Sequence, residues 1–242
     1  MSDLKINNIT PLSGNIKVGN TNVSQIYCGS TLIWPLAPPI TPCNLPNVVI
    51  GTQTWKGCNL NVSTYANGDP IPQAIDDADW FSKGNDGIGA WCHYDNDPAN
   101  DAIYGKLYNW HAVNNISNGG LAPAGYHIPT DAEWTTLTTY LGGESVAGGK
   151  MKSTGTIQAG TGLWEEAVQI ASNSSGFTGL PGGRREEDGA FFDIGYYGLW
   201  WSLTEDGTFY ANFRMLQYNV QTAISASQQK EWGMSVRLIE NN

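Results

Sequence analysis

The last third of the chain contains three blocks rich in glycine and aromatic residues: Gly176-Phe177-Thr178-Gly179-Leu180-Pro181-Gly182-Gly183-Arg184, then Leu199-Trp200-Trp201-Ser202-Leu203-Thr204-Glu205, then Gly233-Met234-Ser235-Val236-Arg237-Leu238. A polar, aromatic-rich stretch separates the second block from the third. These blocks are typical of a scaffold that presents a surface, and they do not resemble a nucleophile placed beside its base. We therefore expect a binding protein and no enzymatic activity.

The composition favours a loop-rich fold. Only 14% of the 242 residues are charged, whereas the chain has 29 Gly, 10 Trp and 11 Tyr. This mixture indicates a β or α+β fold in which aromatic side chains hold together segments without long regular elements. The formal charge of −10 and the scattered Lys and Arg residues argue against a nucleic-acid partner, whose phosphates need a basic patch.

The N-terminal residues show no secretory signal, because no cationic stretch precedes an apolar one. No apolar run approaches the roughly 20 residues of a membrane span, so we expect no membrane insertion. These observations predict folding in a cytoplasm, and hence that the four cysteines are thiols. Their wide spacing, without a C-x-x-C pair, also argues against a zinc knuckle. The cysteines are Cys28, Cys43, Cys58 and Cys92.

The chain divides into three parts. Residues 1–34 are predicted to form a small β anchoring module, because Val18–Val23 and Cys28–Ile33 are two similar β-prone stretches around Gly-Asn and Gly-Ser turns. Residues 35–46 contain five prolines and predict a stiff linker. Residues 47–242 are expected to form the main domain.

Local patterns predict several elements of this domain. Thr130 and Glu133 form a capping-box pattern, which predicts a helix with Trp134, Leu137, Tyr140 and Leu141 on its apolar face, ended by Gly142-Gly143. The stretch from Gly142 to Lys150 is interpreted as a helix stop followed by a turn. Residues 48–55 predict a hairpin that residues 59–62 continue, and residues 104–113 suit a short helix or a strand.

Phrases across most of the chain resemble the Fibrobacter succinogenes major paralogous domain. They are Gly51-Thr-Gln-Thr-Trp55, Asn59-Leu60-Asn61, Tyr104-Gly-Lys-Leu-Tyr-Asn-Trp110, Leu121-Ala-Pro-Ala-Gly-Tyr-His-Ile-Pro-Thr-Asp-Ala-Glu-Trp134 and the three blocks above. The family is similar to the C-type-lectin-like fold of formylglycine-generating enzymes. The resemblance implies an α+β domain over residues 47–242, with one or two helices on short twisted antiparallel sheets and loops that form a ligand-facing surface.

A second resemblance concerns the N-terminal module. The phrase Ile26-Tyr27-Cys28-Gly29-Ser30-Thr31-Leu32-Ile33-Trp34-Pro35 is similar to segments of tailed-phage structural proteins, although an ordinary hairpin explains it equally well. A virion protein needs no export signal because lysis releases it. This resemblance implies that the module anchors the chain to other virion proteins.

The aromatic, polar region from Phe191 to Tyr218 is the candidate ligand-binding site, because Tyr and Trp offer rigid faces with polar tips that suit sugars and protein epitopes. In residues 209–214, strand alternation places Phe209, Ala211 and Phe213 in the core and the intervening side chains on the surface. The predicted ligand-binding residues are Tyr196, Tyr197, Trp201, Tyr210, Asn212, Arg214 and Tyr218.

Other chemistry is weakly indicated. Asp95, Asp97 and Asp101 concentrate hard oxygen ligands that suit Ca²⁺, with turn capping as the alternative. No other cofactor is expected.

The sequence argues against two kinds of enzyme. Oxidase activity of the formylglycine-generating type would need cysteines near the final strand, but all four cysteines lie at or before Cys92. A serine hydrolase is not indicated, because the chain has no Gly-x-Ser-x-Gly motif. His127, directly before the helix cap, is predicted to be a structural hydrogen-bonding residue.

We therefore expect a non-enzymatic phage virion protein, a tail fibre, tail tip or capsid decoration, that attaches to a host surface glycan or protein. Phage receptor-binding proteins suggest a homotrimer, in which weak contacts multiply. The alternatives are a structural protein that cements neighbouring virion subunits, a tail-borne glycan hydrolase and a bacterial surface protein.

Overall fold

The computed structural model describes residues 43–165 and 170–241, and the backbone of four short strands nearer the N-terminus. Strand β1 (Lys17–Val18) pairs with β2 (Thr21–Asn22), and β3 (Ile26–Cys28) pairs with β4 (Thr31–Trp34), both antiparallel. The turns predicted between these strands and residues 35–42 of the linker lie outside the described residues. The anchoring role of this module stays a prediction.

The main domain is α+β with several small antiparallel sheets, as predicted. Its strands are β5 (Val48–Ile50), β6 (Gln53–Trp55), β7 (Trp91–Cys92), β8 (Leu107–Tyr108), β9 (Tyr126–His127), β10 (Gly182–Arg185), β11 (Phe191–Ile194), β12 (Tyr197–Asp206), β13 (Tyr210–Gln217), β14 (Ala223–Gln229) and β15 (Ile239–Glu240). Its helices are α1 (Asp77–Asn85), α2 (Asp101–Tyr104), α3 (Trp110–Val113), α4 (Asp131–Tyr140) and α5 (Glu144–Met151). Each of these helices is too short to cross a lipid bilayer.

The two ends of the domain meet in one sheet of order β5-β6-β15-β9. The hairpin predicted for residues 48–55 is confirmed as the pair β5–β6. Ile239 of the last strand pairs with Trp55 of this hairpin. Residues 59–62, however, form no strand. Residues 104–113 contain the end of α2, strand β8 and helix α3, so both alternatives for that stretch occur.

Helix α4 follows its prediction closely. The Thr130 hydroxyl accepts from the Glu133 backbone N–H while the Glu133 carboxylate accepts from the Thr130 backbone N–H, which satisfies two donors of the first turn. Trp134 and Leu137 are fully buried, but Tyr140 is exposed, so its assignment to the apolar face was wrong. His127 contacts Glu133 at 2.7 Å and Asn241 at 2.6 Å, which confirms its structural role.

Two further helices of eight or more residues were not predicted. Gly142 and Gly143 have positive φ and end α4 as expected, but α5 begins directly after them where a turn was predicted. The glycines inside α5 pack against backbone: a Cβ on Gly148 would lie 2.5 Å from the Thr222 carbonyl oxygen. Close packing here outweighs the low helix propensity of glycine. Helix α1 is capped by the Asp76 side chain.

Strand β12 lies between two cores, and its adjacent tryptophans separate into them. Trp201 packs in the first core with Phe213, and Trp200 packs in the second. The second core joins distant elements through aromatic contacts: Trp134 of α4 lies 4.7 Å from Trp55, and Phe177 lies 5.7 Å from Trp200 between ring centroids. The opposite faces predicted for the two tryptophans are confirmed, and both faces are buried.

A buried asparagine connects the sequence blocks. The Asn59 amide donates to the Tyr104 carbonyl oxygen at 2.8 Å and to Ser235 Oγ at 3.3 Å. Its Oδ1 accepts from Trp200 Nε1 at 2.8 Å and from Arg237 Nε at 3.1 Å. All hydrogen-bonding positions of this amide are therefore used, and its partners come from three separate parts of the chain, since Ser235 and Arg237 belong to the same block.

Arg237 completes the connection as a buried cation surrounded by carbonyl oxygens. Its Nη1 donates to the carbonyls of Lys56, Gly57 and Phe177 at 2.9–3.0 Å, and its Nη2 donates to that of Thr178 at 3.4 Å. Burial lowers the pKa of the guanidinium, whereas these oxygens favour its charged form. The three sequence blocks thus hold the scaffold together through contacts that are buried or half-buried.

The expectation that all cysteines are thiols was wrong. Cys43 and Cys58 form a disulfide, which fastens the end of the predicted linker to the domain, and Cys43 N also donates to the Ala102 carbonyl oxygen at 2.8 Å. Cys92 is a buried thiol. The prediction rested on a cytoplasmic location, because sequence spacing alone does not determine whether two cysteines meet.

Candidate functional site

The structure divides the seven predicted ligand-binding residues among separate environments. Two of them are buried, one lies at the far end of the sheet, and Asn212 is half-buried in the middle of β13. The remaining three lie together, at the end of the sheet where β12 begins and β13 ends; they are Tyr196, Tyr197 and Tyr218.

Trp201 was predicted to bind ligand, but it is a core residue with 0% of its surface exposed. Its Nε1 donates to the Tyr108 carbonyl oxygen at 2.8 Å, and its ring packs against Phe213. The alternation argument correctly separated Trp200 from Trp201, but a hydrophobic core packs against each face of the sheet, so neither face is open.

Arg214 was also predicted to lie on the surface, and it is 1% exposed. Its Nη1 donates to Asp131 Oδ1 at 2.6 Å, and its Nη2 donates to Thr135 Oγ1 at 2.9 Å. Both partners are on α4, which covers this face of the sheet. Arg214 therefore joins the helix to the sheet and is not available to a ligand.

Tyr210 lies at the opposite end of β13 from the other tyrosines. It is 43% exposed, and the neighbouring Phe209 is 67% exposed, which contradicts the prediction that Phe209 belongs to the core. Phe209 precedes β13, so strand alternation does not apply to it. The seven steps from Tyr210 to Gln217 span roughly 24 Å, too far for one small ligand to contact both ends.

The tyrosines at the near end border a concave surface, which we call the tyrosine cleft. The rings of Tyr196 and Tyr218 meet edge to face with centroids 5.2 Å apart, and Tyr196 is 41% exposed. Beside them is a cavity of about 430 Å³. It is lined by Lys152, Gly155, Thr156, Trp164, Glu165, Ile170, Ala171 and Tyr218.

Backbone contacts bring these distant segments together. The Glu165 N–H donates to the Gly195 carbonyl oxygen at 2.8 Å, and the Tyr218 N–H donates to the Tyr196 carbonyl oxygen at 2.9 Å. Gly195 has φ +85°, and a Cβ there would lie 3.2 Å from Ile157 Cδ1. The glycine therefore permits both the turn before Tyr196 and the close approach of the cleft wall.

Lys152 fixes the loop that carries Tyr218. Its ammonium donates to the carbonyl oxygens of Gln217 at 2.8 Å, Tyr218 at 3.3 Å and Val220 at 2.7 Å. It also lies 5.6 Å from the centroid of the Trp164 ring. All three ammonium hydrogens have acceptors, so Lys152 positions the cleft and does not offer a free donor to a ligand.

Lys152 is expected to titrate close to pH 8. Burial lowers its pKa from the ordinary 10.5 to about 8. Between these values the unfolded chain binds more protons than the native state, so the Lys152 contribution to the free energy of unfolding rises with pH. The measurement is an NMR titration of the lysine side-chain resonances, with Lys152→Met to assign the signal.

A Lys152 midpoint near 10.5 would contradict this expectation. The contribution of Lys152 is measured as the difference in the free energy of unfolding between wild type and Lys152→Met, followed from pH 8 to pH 10. Burial raises the pKa of Cys92, Tyr94 and Tyr104 to about 12, so these groups lower the stability of both proteins as pH rises above 9–10.

The three predicted cation ligands have separate roles. Asp97 caps a short 3₁₀ turn by accepting from the Ala99 N–H at 2.9 Å, and Asp101 contacts His93 and Lys106. Asp95 adopts a left-handed backbone conformation. Within residues 43–165 and 170–241 no three His, Cys, Asp or Glu side chains form a metal-binding group. These roles agree with the turn-capping alternative.

A second concavity of about 600 Å³ lies between the β5–β6 turn and α4. It is lined by Ile50, Gly51, Thr52, Thr135, Thr136, Thr139 and Tyr140. It contains a single aromatic ring and no charged side chain. The tyrosine cleft combines an aromatic pair with the Glu165 carboxylate, and is therefore the better candidate site.

Sequence reasoning missed the other half of the cleft. Trp164 lies alone in a glycine-rich stretch, and its burial in the cleft wall, with Nε1 donating to Ser153 Oγ at 3.0 Å, was not foreseen. An isolated tryptophan after a run of glycines was the available signal, because such a ring needs a partner surface.

Comparison with known proteins identifies one family. Residues 48–240 match the model described as the Fibrobacter succinogenes major domain, which includes every phrase from Gly51 to Leu238 quoted above. No curated protein and no solved structure matches the chain. The phage-like phrase at residues 26–35 lies outside the matched range.

Proposed function

We propose that this chain, which belongs to the Fibrobacter succinogenes major domain family, is a non-enzymatic virion adhesion protein that binds a host surface glycan in the tyrosine cleft. The residues before the domain attach it to other virion proteins. Binding is reversible and weak at each site, and several copies on one particle, as in a homotrimer, raise the overall avidity.

The observation that carries the proposal is the contact between the exposed Tyr196 ring and the half-buried Tyr218 ring beside the cavity. An aromatic face packs against the apolar C–H groups of a pyranose ring, and the carboxylate of Glu165 and the hydroxyl of Thr156 are suited to its hydroxyl groups. The cavity of about 430 Å³ lies within the size range of small-ligand sites.

The disulfide supports a location outside the cytoplasm. Disulfides persist in oxidising surroundings and are rare in cytosolic proteins. A virion released by lysis exposes Cys43 and Cys58 to such surroundings after folding, and the bond then fastens the start of the domain to its body. The same observation is compatible with a bacterial surface protein.

The test is binding of the purified protein to an array of bacterial surface glycans. We expect Tyr196→Ala and Tyr218→Ala to weaken binding about tenfold or more, since each removes an aromatic contact of about 1.4 kcal/mol. Tyr210→Ala is the matched control, because that ring is exposed to a similar degree but lies at the other end of β13.

Equal loss of binding in Tyr210→Ala would contradict the assignment of the cleft. Absence of binding to any glycan, together with retention on intact host cells, would favour a protein receptor. Fluorescence of the buried tryptophans reports whether each variant is folded.

One feature favours the architectural alternative. Among the strands that the structure describes, β14 is the edge of its sheet and pairs with β13 alone, over seven consecutive residues without a register shift. Its sequence, Ala-Ile-Ser-Ala-Ser-Gln-Gln, contains no charge or proline that would oppose strand addition. Such an edge suits a contact with a neighbouring subunit, which is compatible with the proposed adhesion as well as with a cementing role.

A further inference from the structure

Three side chains with complementary chemistry are in contact: Lys106, Asn61 and Asp101, which we call the Lys106 triad. None of them belongs to the sequence segments that form the tyrosine cleft. Lys106 Nζ lies 2.5 Å from Asn61 Oδ1 and 2.6 Å from Asp101 Oδ2. Asn61 Nδ2 donates to the Asp101 backbone oxygen at 3.3 Å. An amine, a carboxamide and a carboxylate are thus in mutual contact.

The backbone holds the triad in place. The Lys106 N–H donates to the Leu60 carbonyl oxygen at 3.1 Å, so two segments 45 residues apart lie side by side. Gly105 permits this approach, because it has φ +72° and a Cβ there would lie 2.6 Å from that same oxygen. Asp101 is fixed at the start of α2. The contact is therefore part of the fold and does not depend on flexible surface side chains.

The surroundings favour proton transfer within the triad. The side chains of Lys106 and Asp101 are each 10% exposed, and Lys106 Nζ lies 4.6 Å from the centroid of the Trp91 ring. His93 Nδ1 contacts the other oxygen of Asp101 at 2.7 Å and orients the carboxylate. Water is therefore largely excluded from the pair, and the carboxylate lies in direct hydrogen-bonding contact with the ammonium, as proton transfer between them requires.

We propose that Lys106 and Asn61 form an intramolecular isopeptide bond, with Asp101 as the catalytic residue. Asp101 accepts a proton from the Lys106 ammonium, and the free amine attacks Cγ of Asn61. The carbonyl bond is about 1.2 Å long, so the 2.5 Å contact to Oδ1 places Cγ within about 3.7 Å of Nζ. This is close to the separation of a near-attack arrangement.

The step balances without an oxidant or a co-reactant. The Nζ–Cγ bond forms and the Cγ–Nδ2 bond breaks. The two protons lost from the Lys106 ammonium pass through Asp101 to the departing nitrogen, which leaves as ammonium, and Asp101 returns to its carboxylate. Asn61 is exposed, which gives the departing group a route to solvent.

The product is a covalent staple between residues 61 and 106. Unlike the disulfide, an amide bond does not depend on the redox conditions around the protein. It adds to the non-covalent contacts through which Asn59 and Tyr104 already join the same two segments.

Intact-mass spectrometry of the full chain tests the proposal. We expect wild type to be lighter than its sequence by about 17 Da, the mass of one ammonia, after allowance for the disulfide. Lys106→Arg keeps the positive charge beside Asp101 but does not form the bond, and Asn61→Ala removes the carbonyl that is attacked. Both should have their full mass, as should Asp101→Asn. Lys56→Arg is the matched control and should retain the loss.

Peptide mapping of wild type provides the decisive result and requires no variant. Trypsin should fail to cleave after Lys106, and the peptides that contain residues 61 and 106 should be found joined. A loss of the same mass at Asn67-Gly68 or Asn118-Gly119 would indicate a succinimide instead. Full mass in wild type after prolonged incubation, or mass loss that persists in Lys106→Arg, would overturn the proposal.

Discussion

Arg237→Leu is expected to destabilise the protein by roughly 3–5 kcal/mol, because it leaves several buried carbonyl groups without a donor. The guanidinium reaches the oxygens of Lys56, Gly57, Phe177 and Thr178, which belong to segments about 120 residues apart. For a domain of this size, such a loss lowers Tm by roughly 6–20 °C. Chemical and thermal unfolding measure both quantities.

Arg184→Leu makes the same chemical change at a half-buried position. Arg184 lies between the rings of Phe192 and Trp232 and pairs with Glu186 at 2.8 Å and with Asp193. Both carboxylates are about a quarter exposed, so water can solvate them after the substitution, and we expect a smaller loss of stability than in Arg237→Leu. Arg237→Lys should be intermediate, since lysine retains the charge but not the planar set of donors. Similar stability losses in Arg237→Leu and Arg184→Leu would show that the buried network does not hold the sequence blocks together.

Arg214→Met is expected to cost about 2–4 kcal/mol of stability and to leave glycan binding unchanged. The substitution removes the partner of Asp131, whose side chain is 30% exposed, so the cost stays below that of a fully buried pair. A double-mutant cycle with Asp131→Ala isolates the interaction energy. Tyr210→Ala is the control and should change stability by less than about 0.5 kcal/mol.

Loss of binding in a folded Arg214→Met protein would restore Arg214 to the ligand site. Because α4 covers this face of the sheet, such a result would require the helix to move away from β13. The stability and binding measurements together therefore separate a structural role from a recognition role.

Features determined by adjacent residues could be predicted from the sequence. The Thr130–Glu133 capping box lies within one helical turn, so helix α4 was foreseen with its cap. The hairpin at residues 48–55 and the opposite faces of Trp200 and Trp201 follow from strand geometry in the same way. The family match over residues 48–240 agrees with the phrases that indicated it.

Features determined by distant residues could not be predicted. Alternation indicated which side chains share a face of β13, but not that α4, 83 residues earlier at Asp131, covers the face that contains Arg214. Helix α5 contains a glycine pair whose propensity argues against a helix, and only its packing against residues 221–222 explains it. The disulfide likewise depends on the meeting of Cys43 with Cys58.

The candidate site was predicted in part. The region from Phe191 to Tyr218 does contain Tyr196 and Tyr218, whose rings are in contact. The opposite wall comes from residues 152–165, which sequence reasoning had assigned no role. A concave site between such segments depends on their relative placement, and a single sequence carries no direct signal of it.

The most direct measurement is an NMR titration of isotope-labelled protein with methyl glycosides of glucose, galactose, mannose and N-acetylglucosamine. Binding in the tyrosine cleft predicts that shifted resonances cluster at residues 155–165, 195–197 and 217–220, with the Trp164 indole N–H among them. Shifts confined to the Tyr210 end of the sheet, or to the groove between Thr52 and Tyr140, would contradict the proposed site.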